Sequence, residues 1–311
     1  MKRGMLLCLC LFLALSAPPA LAKKKHKKPK TLGPVVTATA TGNTVSTPGQ
    51  TTSADAACPA GLQAVGGGFL VPFDVINAVQ LTSSYRSSPS TWTASGVDAY
   101  GTGAVTSYAY CRKATHPISD VAASAPVASG FGNNVMVEAD CAPGVPAVSG
   151  GFQTTTGPLP AGAVSTESSA GGGPVPGGTP SVGYWRVTAE NNASGAQTVT
   201  AHVYCMSGIK VPALRQDQGS ATLPTFGSLS QSSSCPPAPK PKKPKKGKKK
   251  RKKPAPQLLS AGGFYSPFTP GATDSIPEHV ESRIVGGAFV DRVVNGGLGG
   301  TVTVQSQAMC F

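Results

Sequence analysis

Along most of the chain, small, apolar and hydroxyl residues alternate with a period of two. In VMVEADC (135–141), Val135, Val137, Ala139 and Cys141 share one face while Met136, Glu138 and Asp140 take the other, the spacing of a half-buried β-strand. VTAHVYC (199–205) behaves alike, with Val199, Ala201, Val203 and Cys205 facing one way and Thr200, His202 and Tyr204 the other. Segments such as NNASGAQ (191–197) supply hairpin and loop punctuation. No later stretch sustains a helical period, so the fold class is all-β.

The alternation fails at the N-terminus. Lys2 and Arg3 precede an apolar run from Met5 to Ala17, followed by Pro18, Pro19 and Ala20-Leu21-Ala22. These are the three parts of a secretory signal peptide, expected over residues 1–22 with cleavage after Ala22. The run is too short to cross a hydrocarbon core, and the prolines end any helix. No transmembrane segment is expected in the mature chain.

A longer period is superposed on the strands. CPAGLQAVGGGF (58–69) returns as CAPGVPAVSGGF (141–152), with 11 positions from Cys to Phe in both. Each copy closes on a strand ending in cysteine, VTSYAYC (105–111) and VTAHVYC (199–205), with Trp92 and Trp185 ahead of it. A third copy opens at Cys235-Pro236-Pro237, resumes at LLSAGGF (258–264) and closes on VQSQAMC (304–310), with Phe289 in the tryptophan's place. Here Cys235 and Phe264 stand 29 positions apart, so about eighteen residues have been inserted.

With Cys8 and Cys10 in the leader, six cysteines remain: Cys58, Cys111, Cys141, Cys205, Cys235 and Cys310. An even number at wide spacing in an exported chain reads as disulfides, and no C-x-x-C pair suggests a metal site. The register of the copies selects Cys58 with Cys111, Cys141 with Cys205 and Cys235 with Cys310; a crossed pattern would make equivalent cysteines behave differently. Three β units follow, at 31–111, 117–205 and 209–311, with an insertion at 236–257. The expected arrangement is three tandem disulfide-stapled β-sandwich-like units; the alternative is one body of three sheets about a pseudo-threefold axis. Aromatic residues are 6% of the chain, so a unit folding alone has a thin core and leans on its disulfide.

The pattern CPAG…VGGGF…W-T-A…VTSYAYC resembles a repeat of secreted proteins from actinobacteria and their relatives. The likeness covers the first two units well and the third loosely. It implies export, β structure and a bacterial source, and it carries over no catalytic residues.

Charge is unevenly placed in a chain of formal net charge +14 with 27 Lys and Arg. One cluster is Lys23, Lys24, Lys25, Lys27, Lys28 and Lys30, a basic segment (23–30) expected to be disordered. The other lies in the insertion: Lys240, Lys242, Lys243, Lys245, Lys246, Lys248, Lys249, Lys250, Arg251, Lys252 and Lys253. Outside these clusters and the leader, eight cationic residues face all 13 acidic ones. Lysine runs without aromatic residues suit diffuse attraction to a polyanion rather than base-specific contacts, which favour forked arginines or stacking platforms. The expected partners are an anionic envelope polymer, an acidic polysaccharide or an anionic lipid surface, with no sequence-specific nucleic acid. Such runs also serve as plain solvated spacers.

Motifs for chemistry are sparse. There is no G-x-S-x-G, H-E-x-x-H or P-loop pattern. Of His26, His116, His202 and His279, only His279 has acidic neighbours, Glu278 and Glu281; in a β sequence this reads as a solvated face. GGGF and GGGPVPGG (171–178) precede no helix, so they read as turns rather than phosphate loops. The matched positions of Trp92 and Trp185 suit a core role. The expectation is an exported, non-enzymatic protein without cofactor or metal, bound to anionic polymer through its lysines. The alternative is a carbohydrate-binding protein using exposed loops of the β units.

Overall fold

The computed structural model describes residues 34–74, 76–113, 116–130, 133–155, 163–171, 183–191, 195–209, 211–237, 259–265 and 277–311. The leader, the 23–30 segment and the lysines of the insertion lie outside them. Among the described residues the chain forms strands and no helix. The first segment supplies β1 (Val36–Thr41), β2 (Thr51–Ala57), β3 (Leu62–Leu70), β4 (Ala78–Ser88), β5 (Thr91–Tyr100) and β6 (Thr106–Lys113). The second supplies β7 (Ile118–Val127), β8 (Asn133–Asp140), β9 (Ala147–Thr154), β10 (Ala163–Gly171), β11 (Tyr184–Asn191) and β12 (Gln197–Met206). The third supplies β13 (Ala213–Pro224), β14 (Ser228–Ser234), β15 (Leu259–Tyr265), β16 (Pro277–Val285), β17 (Ala288–Asn295) and β18 (Gly299–Cys310).

These strands build three six-stranded antiparallel sheets, and each sheet draws on two segments. Sheet I runs β1-β6-β3-β16-β17-β14, sheet II β2-β5-β4-β9-β12-β7 and sheet III β13-β18-β15-β10-β11-β8. Every segment gives its first, third and sixth strands to one sheet and its second, fourth and fifth to the next. Sheet I closes the ring by joining the first segment to the third. Of the two arrangements open from sequence, this is the single three-sheet body.

Three homologous phenylalanines mark the axis. Phe69, Phe152 and Phe264 come from different sheets, their ring centroids are 6.5, 6.0 and 5.9 Å apart, and each pair meets edge to face, the geometry aromatic quadrupoles favour. The glycines ahead of them have two distinct jobs. A Cβ on Gly67 or Gly150 would strike the indole of Trp92 or Trp185, and one on Gly68, Gly151 or Gly263 would strike the carbonyl oxygen of Ser282, Ser84 or Ser168 on the neighbouring segment's strand. One glycine makes room for a tryptophan; the next lets two segments pair. Both tryptophans are buried, and their Nε1 atoms donate to Ser84 Oγ and Ser168 Oγ at 2.9 and 2.8 Å.

The seams are also tied from the closing strands. Tyr110 Oη accepts from the Ile284 amide and Tyr204 Oη from the Arg86 amide, both at 2.6 Å. Where the third segment has Met309 instead of tyrosine, Gln307 Oε1 accepts from the Ala170 amide at 3.0 Å. Tyr204 keeps the face that alternation assigns it, with Thr200 and His202, but the expected exposure of that face fails there because the first segment covers it. The extra residue at the register shift opposite Tyr204 and Cys205 belongs to β9, so β12 keeps its alternation; Tyr204 is buried because Arg86 and Trp92 of the first segment pack over it.

The turns after the first cysteines also differ from expectation. Pro59 and Gly61 suit positions two and four of a type I turn, and the displaced Pro143 suggests a different turn in the second copy. Both copies in fact make the same turn one residue later. Leu62 N donates to Pro59 O and Val145 N to Ala142 O, with Gly61 and Gly144 at φ 80° and 78°. Glycine at the third position with positive φ defines type II, which accepts proline at either preceding position.

Candidate functional site

The structure joins Cys58 to Cys111, Cys141 to Cys205 and Cys235 to Cys310, the pairs that the register selects. Disulfides of this kind belong to chains that mature in an oxidising compartment. They sit at equivalent points of the three segments; Cys58–Cys111 and Cys235–Cys310 meet in one apolar cluster at one pole of the body, and Cys141–Cys205 packs in another. The cluster at this pole holds Cys111 and Cys310, with Val35, Cys58, Cys235 and Phe311 packed against it. Val36 pairs with Cys111, and Leu259 pairs with Cys310. The chain thus enters the body at this pole, and the insertion leaves and rejoins there. Arg112 is 1% exposed beside Phe311, and burial lowers its guanidinium to about 10.

The opposite pole holds carboxyl groups. Glu278 of β16 is only partly exposed, and its carboxyl is enclosed beside Glu190 of β11 and Gln80 of β4. Burial, reinforced by the Glu190 charge and opposed by a hydrogen bond from Gln80, pushes Glu278 up to about 8. His279 is buried with its ring 3.9 Å from the Phe264 ring. The solvated face expected for Glu278, His279 and Glu281 is therefore corrected: Glu278 and His279 are enclosed by the other segments, and the register shift between His279 and Glu281 puts Glu281 on the face opposite His279. There Glu281 pairs with Arg283 and Arg292 at 2.8 and 3.2 Å. These three residues share no site. Asp291 is fully buried, and burial raises it well above the usual carboxylate range despite the Ser282 and Ser306 hydroxyls.

The outer face of sheet II carries a shallow groove of about 540 Å³. It lies over the β4–β9 seam, where the strands pair at Ser83–Gln153 and Ser84–Phe152, as sparsely as the equivalent seams of sheets I and III. β4 contributes Thr82, Ser83 and Tyr85, and β9 with the residue after it contributes Gln153, Thr154 and Thr155. Ser95, Thr198 and Thr200 complete the lining. Local bonds hold this surface: Thr82 Oγ1 donates to Ser95 O at 3.1 Å, Thr154 Oγ1 to Thr82 O at 2.9 Å and Thr155 Oγ1 to Gln197 Oε1 at 2.8 Å. The Tyr85 ring stacks on His202 at 5.1 Å and 17°. Burial lowers the His202 pKa, with Asp120 opposing, so the imidazole is neutral near pH 7.

Among the described residues no group of three or more His, Cys, Asp and Glu is placed to hold a metal ion, and no helix is long and apolar enough to cross a membrane. No protein-family profile matches the chain, and no curated protein is similar to it at a significant level. Sequence reasoning missed the groove because its residues look like ordinary strand hydroxyls. It missed the Glu278–Glu190 contact because the two residues come from different segments.

Proposed function

We propose that the chain is an exported, non-enzymatic protein of the cell envelope or extracellular space, held to anionic polymer or an anionic surface by its two lysine-rich segments. The supporting observation is where those segments attach. Lys30 lies five positions before Val35, which packs at the disulfide-capped pole. Lys240 lies three positions after Pro237 and Lys253 six before Leu259, and both flanks meet Cys310. At about 3.5 Å of reach per residue, these lysines lie within roughly 10–20 Å of the pole. Two runs more than two hundred residues apart in sequence thus concentrate charge at one end of a body whose remaining charge is acidic. That end binds and the rest faces away. The cleaved leader and the three disulfides belong to the same reading, since both go with export.

Attraction of this type releases counterions and weakens steeply with salt. Binding of the purified chain to phosphatidylglycerol vesicles and to polygalacturonate is measured between about 50 and 500 mM salt. Binding that vanishes across this range, and is at least about tenfold weaker after deletion of residues 238–258, is expected for lysine-mediated association. Affinity indifferent to salt, or unchanged by the deletion, refutes it.

A further inference from the structure

The three sheets have equivalent outer faces, and among the described residues sheet II carries a groove over its seam. At one register position sheet I pairs Glu281 with Arg292, sheet III pairs Glu167 with Thr188 and sheet II pairs Ser83 with Ser95. On sheet I the position is filled by an ion-paired network, Glu281 with Arg283 and Arg292. On sheet III the Glu167 carboxylate spans it, accepting from Ser169 Oγ at 2.6 Å and Thr188 Oγ1 at 2.7 Å. On sheet II two serines replace the long charged side chains, and the space they give up is the groove. From this we propose that the sheet II groove is a binding site for a neutral glycan.

The chemistry of the lining selects the ligand. Its side chains are hydroxyls, one amide and one phenol, all uncharged, and they offer donors and acceptors together, as a polyhydroxylated chain requires. An anion finds no cation in the lining to offset its desolvation, and a hydrophobic ligand strips water from the exposed polar atoms without replacing those bonds. The Tyr85–His202 stack adds a neutral aromatic edge at one side, and the Gln153 amide is exposed toward a ligand. A volume of about 540 Å³ is in the range of small-ligand sites, and the open shape suits a few sugar rings of a longer chain. The groove runs from mid-sheet toward the carboxyl pole, away from the disulfides. It is thus separate from the lysine attachment and independent of the function proposed for it.

Maltohexaose, laminarihexaose, mannohexaose and chitohexaose are titrated calorimetrically into the purified full chain at low and high salt. At least one is expected to bind with affinity that salt leaves unchanged. The double variant Ser83→Glu, Ser95→Arg recreates the charged pair that sheet I already accommodates, so it is expected to keep its melting temperature and to bind at least tenfold more weakly. Tyr85→Ala, at a part-exposed position, is a second and milder variant with the same expected direction. Failure of all four sugars to bind overturns the proposal, as does binding that survives both substitutions.

Discussion

Single residues carry charge states that composition does not reveal. Glu278 has an ordinary carboxyl in sequence, but in the fold burial, reinforced by the neighbouring Glu190, holds it near 8 instead of 4.5. A carboxyl whose folded pKa is raised binds a proton in the native state that the unfolded chain releases. The contribution is therefore present below the ordinary carboxylate value and lost as pH rises toward 8, then level. Asp291 acts in the same direction. Thermal or urea unfolding is expected to show stability falling by about 2 kcal/mol or more between pH 5 and 8. Glu278→Gln is expected to remove much of that slope. A wild-type stability flat over this range contradicts the buried carboxyl. The tryptophans were legible because their matched positions mark core sites; Glu278 was not, because its neighbours come from two other segments.

At the level of elements, the strands follow from alternation and the turns from glycine, but their pairing depends on close approach. Gly151 shows why. Its missing Cβ leaves room for the Ser84 carbonyl of the neighbouring segment, and a carbonyl within a sheet cannot swing aside. Gly151→Ala is expected to cost about 2 kcal/mol or more in a denaturant titration, beyond ordinary strand propensity effects. A neutral result would show that the β4–β9 seam can spread. In sequence the glycine pair of GGF resembles a turn signal; the structure places it within strands, where one glycine faces an indole and the other a backbone. The disulfide pairing was readable from the register because each cysteine ends a core-facing strand. The buried Tyr204 was not, since the residues that cover it, Arg86 and Trp92, come from another segment.

The whole molecule is a ring of exchanged strands. Each segment leaves half a sheet unfinished on both sides, so its apolar face and its β3-, β9- or β15-type edge require another segment. Residues 117–205 alone are expected to stay unfolded as a monomer and to fold only as a concentration-dependent trimer, in which three copies replace the three segments. Analytical ultracentrifugation with circular dichroism decides this. A folded monomer of that fragment contradicts the exchange. The same closure brings Val35 and both flanks of the insertion, Cys235 and Leu259, to one pole, a juxtaposition that the sequence does not show when read along the chain.

The sequence by itself determined the β class, the three equivalent segments, the cystine pairs and the two concentrations of lysine, because each is written in local pattern or in spacing between like motifs. Tertiary structure alone decided which segment completes which sheet, which carboxyls are buried and where a groove lies on an outer face. Those outcomes depend on side chains that meet from different segments, and no local period records such a meeting.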